Sequence, residues 1–457
     1  MANLPKQAIV GRAVPTAIGT AVRSGILGPS CSDMADRMLV LDLLALLITL
    51  TAVFSWINLR FFKLPTTIGV MVMGMLASLA LIGLEKLGVD MAFRVERALA
   101  GIDFNTLLMH GMLSVLLFAG ALHVKLADLA KQAWVIGTLA TIGVIVSTLI
   151  IGTLTKFGFG LFGLELPWMA ALLFGALISP TDPIAVLAIL RNAGIDKEVE
   201  TKITGESLFN DGVGVVVFLL LLGVYTGGAE LSVGHALGLF AKEAIGGAVF
   251  GGALGLLVNW MMRQVDNYQV EVLLTLAAAM GGYAAAAALH LSAPIAIVIA
   301  GLLIGNQGRA SAMSKSTEEH VDTFWELIDE ILNAVLFVLI GVEILLISTQ
   351  PGYLAAGLLA IPIVLLGRLL SVGPAIKLLS LARSFPTGTL KMLVWGGLRG
   401  GISVALALSL PHGPERDLIV TVTYCVVVFS ILVQGLTLGR VVAASGAAAR
   451  SAPEGGH

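Results

Sequence analysis

Continuous apolar stretches of about twenty residues follow one another from residue 38 to residue 440, separated by short polar segments. They run without the strict alternation of barrel strands, so the pattern predicts membrane-crossing helices. Thirteen spans result: 38–58, 65–84, 104–123, 133–156, 168–190, 203–225, 235–262, 271–290, 293–306, 323–348, 353–380, 389–410 and 417–440. Two of them are broken internally. The fifth carries Pro180 and Pro183 around Asp182, and the twelfth carries WGGLRGG (395–401). Proline removes a backbone donor and crowds the preceding turn, so the helix of the fifth span should open here. In a six–one–six reading the two broken spans occupy matching places, which is the pattern of an inverted-repeat transporter with its site where the breaks cross. Residues 1–37, with Lys6, Arg12 and Arg23 among scattered glycines and prolines, contain no apolar core of signal-peptide length and read as a disordered tail. Residues 441–457 read the same way. The fold class expected is an all-α polytopic membrane protein.

Composition sharpens this picture. The 457 residues are 57% hydrophobic and 12% charged, against roughly 25% charged in soluble domains, and the mean hydropathy is +0.97. A net charge of −2 gives no reason to expect a nucleic-acid partner. The two cysteines, Cys31 and Cys425, suggest neither a disulfide framework nor a metal cluster. No phosphate loop, nucleophile elbow or metal-hydrolase signature is present, so the chain reads as neither an enzyme nor an ATP-driven pump. Loops after the odd-numbered spans hold 13 Lys and Arg residues, and those after the even-numbered spans 5. The odd set is therefore expected in the cytoplasm, with the N-terminus outside and the C-terminus inside.

The candidate chemistry lies in 180–214. An ionisable residue at the bilayer centre costs at least ~2.5–3.5 kcal/mol, so each one needs a reason. Asp211 is the foremost candidate. Burial favours the protonated carboxyl and a nearby cation favours the carboxylate, so the same oxygens can hold a proton or a metal ion but not both. A purely structural Asp211 is the competing reading. Ser207, one helical turn before Asp211, and the Thr181 hydroxyl are neutral oxygen donors for a hard cation, and Asn210 can brace the two segments. Asp182 can bind the ion, fix the break so that the Thr181 carbonyl faces it, or satisfy freed amides. Glu206 needs a cationic partner, and Arg368 and Arg399 are the best-placed cations. Glu206–Arg368 reads as a structural brace, with direct ion binding by Glu206 as the alternative. Glu326, Asp329 and Glu330 are expected to line an entrance or face headgroups. Glu343 and Asn333 are weaker signals, and His110 and His123 read as solvated or packed histidines, with pH sensing as the alternative.

Four segments carry a family resemblance. SPTDP (179–183), GESLFNDGVG (205–214), WGGLRGGISVALAL (395–408) and VQGLTLGR (433–440) resemble signature segments of the monovalent cation:proton antiporters of the NhaP/NHE type, the sodium/hydrogen exchanger family. The resemblance covers residues 38–440. It implies thirteen membrane helices in two inverted six-helix repeats. It further implies a mobile core (about 133–225 and 353–440), a dimerisation domain (about 38–123 and 235–348) and a homodimer in the cell inner membrane. The implied activity is electroneutral exchange of one Na⁺ (or Li⁺, sometimes K⁺) for one proton, with no cofactor and a role in pH homeostasis. Residue by residue, it makes Asp211 the shared carboxylate, with Ser207 and Thr181 as further cation (metal) ligands. Asn210 would bridge to the chain around Thr181–Asp182, Glu206 would pair with Arg368, and Arg399 would stabilise the crossing. Asn rather than Asp at 210 leaves one titrating carboxylate, which suits electroneutral exchange. A K⁺/H⁺ antiporter of the same fold, a passive cation channel and a sodium-coupled symporter are the competing readings.

Overall fold

The computed structural model describes residues 31–87, 107–182, 197–227, 233–346, 350–381, 385–386 and 388–445. Among them there are helices and connections but no strand. The chain divides into two units, Met1–Thr49 and Leu50–His457. Of the first, residues 31–49 are described, as the opening of helix α1 (Cys31–Ile57).

The second unit contains, in order, α2 (Thr66–Lys86), α3 (Leu107–Leu122), the short α4 (Leu126–Lys131), α5 (Ala133–Gly160) and α6 (Trp168–Ile178). There follow α7 (Lys197–Tyr225), α8 (Val233–Met262), α9 (Tyr268–Ala288) and α10 (Ala293–Gly308). Next come α11 (Lys315–Val342), α12 (Pro351–Leu379), α13 (Thr389–Trp395), α14 (Gly401–Leu408) and α15 (Pro414–Ala444). Among the described residues, eight helices, counting α1 as Leu44–Phe62, are long and apolar enough to cross a membrane.

Helix ends follow local chemistry. The Asn267 side chain accepts from the amides of Gln269 and Val270 at 3.0 and 3.2 Å and starts α9, and Ser314 does the same for α11 through Thr317. Proline opens α12 and α15, where its missing N–H costs nothing. These signals lie outside the apolar runs, so the helices overshoot the hydropathy limits. α1 starts at Cys31 rather than 38, so residues 31–37 are helix and not tail; α11 starts at Lys315 rather than 323, and the last helix continues to Ser445. Hydropathy reports residence in lipid, whereas a helix continues as long as its backbone bonds do. Residues 1–30 and 446–457 of the expected tails, and 183–190 of the fifth span with Pro183, lie outside the described residues.

Small residues let backbones approach, as membrane helices require where no water drives association. Gly74 of α2 meets Gly341 of α11, and the Ser78 hydroxyl donates to the Gly341 carbonyl at 3.4 Å. Gly175 of α6 sits on the Thr148 carbonyl of α5, Gly251 of α8 on the Ala296 carbonyl, and Gly305 of α10 on the Leu122 carbonyl. One apolar cluster joins α3, α9, α10 and α11 around Phe118 and Trp325, whose rings are 4.7 Å apart. The Trp325 indole N–H reaches the Thr275 hydroxyl at 2.9 Å, so burying it leaves no polar atom stranded. Large apolar side chains on the outer faces, such as Ile145, Leu149, Ile245 and Leu358, stay exposed, as lipid-facing positions should.

Candidate functional site

α6 stops at Ile178 because Pro180 and Pro183 have no N–H to give. The Ser179 carbonyl would have paired with residue 183, a proline with no N–H to offer. Arg399 meets this need: one guanidinium nitrogen, Nη1, donates to the Ser179 carbonyl at 2.6 Å and to the Pro180 carbonyl at 2.8 Å. Arg399 itself lies in the second break, residues 397–400 between α13 and α14, and is 2% exposed. The two breaks also pair through their main chains, with the Asp182 amide donating to the Leu398 carbonyl at 2.8 Å. They therefore cross, each supplying what the other lacks.

α7 passes beside this crossing and presents Glu206, Ser207, Asn210 and Asp211, all buried. The Thr181 amide donates to Asn210 Oδ1 at 3.2 Å, which fixes the orientation of that side-chain amide. Asn210 Nδ2 then donates to Thr181 Oγ1 at 2.9 Å, and Thr181 Oγ1 lies 2.9 Å from Ser207 Oγ. Thr181 Oγ1 has two acceptor lone pairs, so either hydroxyl can donate in the Thr181–Ser207 contact. Asn210, Thr181 and Ser207 thus form a hydrogen-bonded chain leading toward the level of Asp211.

Asp211 is 5% exposed and, among the described residues, has no ion-pair partner. The nearby buried cations are otherwise engaged. Arg368 of α12 donates through Nη1 to Glu206 Oε1 at 2.5 Å, and through Nε and Nη2 to the Leu393 carbonyl at 3.3 and 3.2 Å. That carbonyl is one of those freed where α13 ends. Arg368 therefore neutralises a buried carboxylate and caps a broken helix at once.

Two supporting residues were not singled out from the sequence. Ser430 Oγ accepts from the Arg399 amide at 2.9 Å and donates to Gln434 Oε1 at 2.7 Å, while Gln434 Nε2 donates to the Trp395 carbonyl at 3.0 Å. Both lie in a π-helical stretch of α15, Ser430–Gly435, where the widened turn brings them onto the second break. A Ser and Gln four apart in an apolar run was the available signal. Ser179 is a third, tying the first break to α5 through Ser147 Oγ at 3.0 Å.

A cavity of about 980 Å³ reaches Asp182 and Asp211. Its walls also carry Asp322, Glu326, Asp329 and Glu330 of α11, against Lys63 and His123 as the basic side chains. Glu326 and Glu330 are exposed, so the acids run from the surface inward. Low-dielectric walls focus such a field and concentrate cations. At its rim Arg309 pairs with Asp322, and His123 Nε2 lies 4.0 Å from Asp322 with Nδ1 on the Ala119 carbonyl at 2.8 Å. Among the described residues no three His, Cys, Asp or Glu side chains converge as a metal cluster. Among the described residues, Asp211 is a carboxylate without an ion-pair partner, with neutral oxygens and Asp182 nearby, at the end of an acidic approach.

The family profile described as sodium/hydrogen exchanger, transmembrane, matches residues 46–444. The Na⁺/H⁺ antiporter NhaP of Pseudomonas aeruginosa is 54% identical over 408 residues, covering 88% of this chain and 96% of that one. The Na⁺/H⁺ antiporter NhaH of Halobacillus dabanensis is 38% identical over 344 residues, covering 73% and 82%. A solved structure of a sodium proton antiporter from Methanocaldococcus jannaschii superposes with a TM-score of 0.71 at 18% identity, covering 90% of this chain and 99% of that one, a likeness of fold.

Proposed function

The chain belongs to the sodium/hydrogen exchanger family, a family of transporters and not enzymes, and from that premise we propose that it exchanges Na⁺ for H⁺ across the plasma membrane with Asp211 as the shared site. The observation that carries this reading is the unpaired, buried Asp211 at the end of an acidic cavity. A proton and a cation compete for its oxygens. Ser207 and Thr181 add neutral oxygen ligands, and Asp182 completes the acidic wall at the break. Asn210, Glu206, Arg368 and Arg399 structure the site. With one titrating carboxylate, one Na⁺ exchanges for one proton and no net charge moves.

The cavity rim, at Lys63, His123 and Asp322, lies at span ends that the Lys/Arg bias assigns to the cytoplasmic side. The conformation is therefore inward-open, with the N-terminus outside and the C-terminus inside. Alternating access requires the crossing and α7 to move against α11. α5 to α7 with α12 to α15 form the moving core of an inverted-repeat pair, and α1 to α3 with α8 to α11 form the fixed, dimerising part.

The test is cation-dependent proton movement in proteoliposomes with Na⁺, Li⁺ and K⁺, with the membrane potential clamped or free. Asp211→Asn should abolish exchange and leave the thermal midpoint of the purified protein within a few degrees of wild type. In the wild type, raising the proton concentration should raise the apparent KM for Na⁺. Normal exchange in Asp211→Asn would refute the reading, and cation flux without proton counterflow would indicate a channel. A larger effect of K⁺ than of Na⁺ would reassign the cargo on the same scaffold.

A further inference from the structure

Among the described residues, Glu271 and Glu343 are buried acids outside this site, and Glu343 adjoins the helix that walls the cavity. Glu343 follows the last residue of α11 and is 7% exposed, yet its Oε1 has no hydrogen-bond partner, and among the described residues it has no ion pair. A carboxylate at a helix C-terminus also faces the negative end of the macrodipole. Neither packing nor stability explains an acid here, and an ionisable group in such a place is a functional candidate.

Its position on α11 supplies the function. Residues 322, 326, 329, 333, 336, 340 and 343 recur at alternating spacings of four and three, so they share one helix face. The first five line the acidic cavity. Leu336 packs on Gly401, where the second break enters α14, and Ile340 is fully buried. Glu343 lies roughly 15 Å beyond Asn333 along the helix. The polar face that leads to Asp211 is thus interrupted by one apolar step and resumes toward the opposite membrane surface.

Among the described residues, Arg416 and Tyr424 of α15 are the groups that interact electrostatically with Glu343. Arg416 is engaged, with Nε on the Leu408 carbonyl at 3.3 Å and Nη1 3.9 Å from Asp417. The Tyr424 hydroxyl is buried and, like Glu343 Oε1, unpartnered. α2, which also packs on this turn, has no acidic or basic residue between 66 and 84.

We propose that Glu343 is the proton-loading carboxylate on the outer side of the exchanger. This rests on the antiport reading and orientation above. A proton from outer water forms an O–H bond on Glu343. When the core moves and Leu336 and Ile340 part from it, water joins the two acids. The Glu343 O–H bond then breaks, a proton adds to Asp211 as its cation leaves outward, and Glu343 returns to the carboxylate. The Tyr424 hydroxyl stabilises that carboxylate in the open state.

The experiment compares wild type, Glu343→Gln and Glu343→Asp in right-side-out and everted membrane vesicles, varying pH on one side at a time. Glu343→Gln should slow proton entry from the outer side about tenfold or more and flatten the outer-pH dependence. Its inner-side pH profile and Na⁺ KM should stay as in wild type, and Glu343→Asp should restore the outer-pH dependence. Wild-type profiles on both sides in Glu343→Gln would overturn the proposal while leaving the antiport reading intact. Absence of Na⁺-dependent proton flux in wild type would overturn both. If Glu343→Gln fails to accumulate, infrared difference spectra decide: a protonated-carboxyl band that titrates with outer pH and shifts in Glu343→Asp supports the assignment, and an unshifted band overturns it.

Discussion

Replacing Arg368 by alanine should damage the fold before it damages transport. The change removes three hydrogen bonds: one to Glu206 Oε1 and two to the Leu393 carbonyl. Glu206, 1% exposed, becomes a buried charge without a partner. Removing one member of a buried pair costs about 3–5 kcal/mol, chiefly as the penalty on the member left behind. The stranded Leu393 carbonyl adds about 1–3 kcal/mol. With about 2.1 cal/mol/K of unfolding entropy per residue, the pair alone lowers the thermal midpoint by roughly 3–5 °C, and by more if membrane helices stay formed in detergent. The assay is the midpoint of purified protein followed by size-exclusion fluorescence, alongside membrane yield. Glu206→Gln combined with Arg368→Met removes both charges and should recover more than half of the loss, since the uncompensated charge is gone. An Arg368→Ala protein with wild-type midpoint and yield would refute the account. So would a double variant no better than the single one, because the cost would then lie in lost packing.

Two further substitutions read other features. Gly400→Ala should reduce exchange at least tenfold and cost about 1–3 kcal/mol, since its Cβ would lie 2.7 Å from Asp182 Cγ at a backbone angle of φ −124° that any residue adopts. Gly83→Ala, whose Cβ meets open space in α2, is the neutral control, and equal exchange rates in the two would refute the crowding argument. Asp128 links α4 to the start of α7 through Lys197 at 3.1 Å, with Lys131 at 3.4 Å, and these partners, Lys197 first, hold its carboxyl below the usual range. A lowered folded-state value means that the contribution is present above the unfolded-state value and fades as pH falls through the folded one. Asp128→Asn should therefore match wild-type midpoints at the acid end and fall slightly below them at neutral pH; a gap that widens with acid would show the opposite sign.

Much of the architecture was legible along the chain because it is set by local rules. Apolar runs mark lipid contact, so among the described residues helices lie along the stretches that hydropathy picked out. Proline cannot donate, so the break after Ile178 follows from Pro180 and Pro183, and four glycines around Arg399 marked the second. The acidic run at Glu326, Asp329 and Glu330 announced a polar helix face, although sequence left open whether it met headgroups or a cavity. What the chain could not specify is who answers whom across the fold. That Leu398 supplies the acceptor for Asp182, that Ser430 receives the Arg399 amide, and that Arg368 serves both Glu206 and Leu393 depends on which helices cross and at what depth. Each partner lies tens or hundreds of residues away, and an apolar helix has the same hydropathy whichever neighbour it meets. The sequence by itself therefore determined where the backbone opens and which acids lie in the membrane. Only the tertiary structure decided which of those acids are neutralised and left Asp211, among the described residues, without an ion-pair partner, because pairing is a matter of distance in space and not of order along the chain.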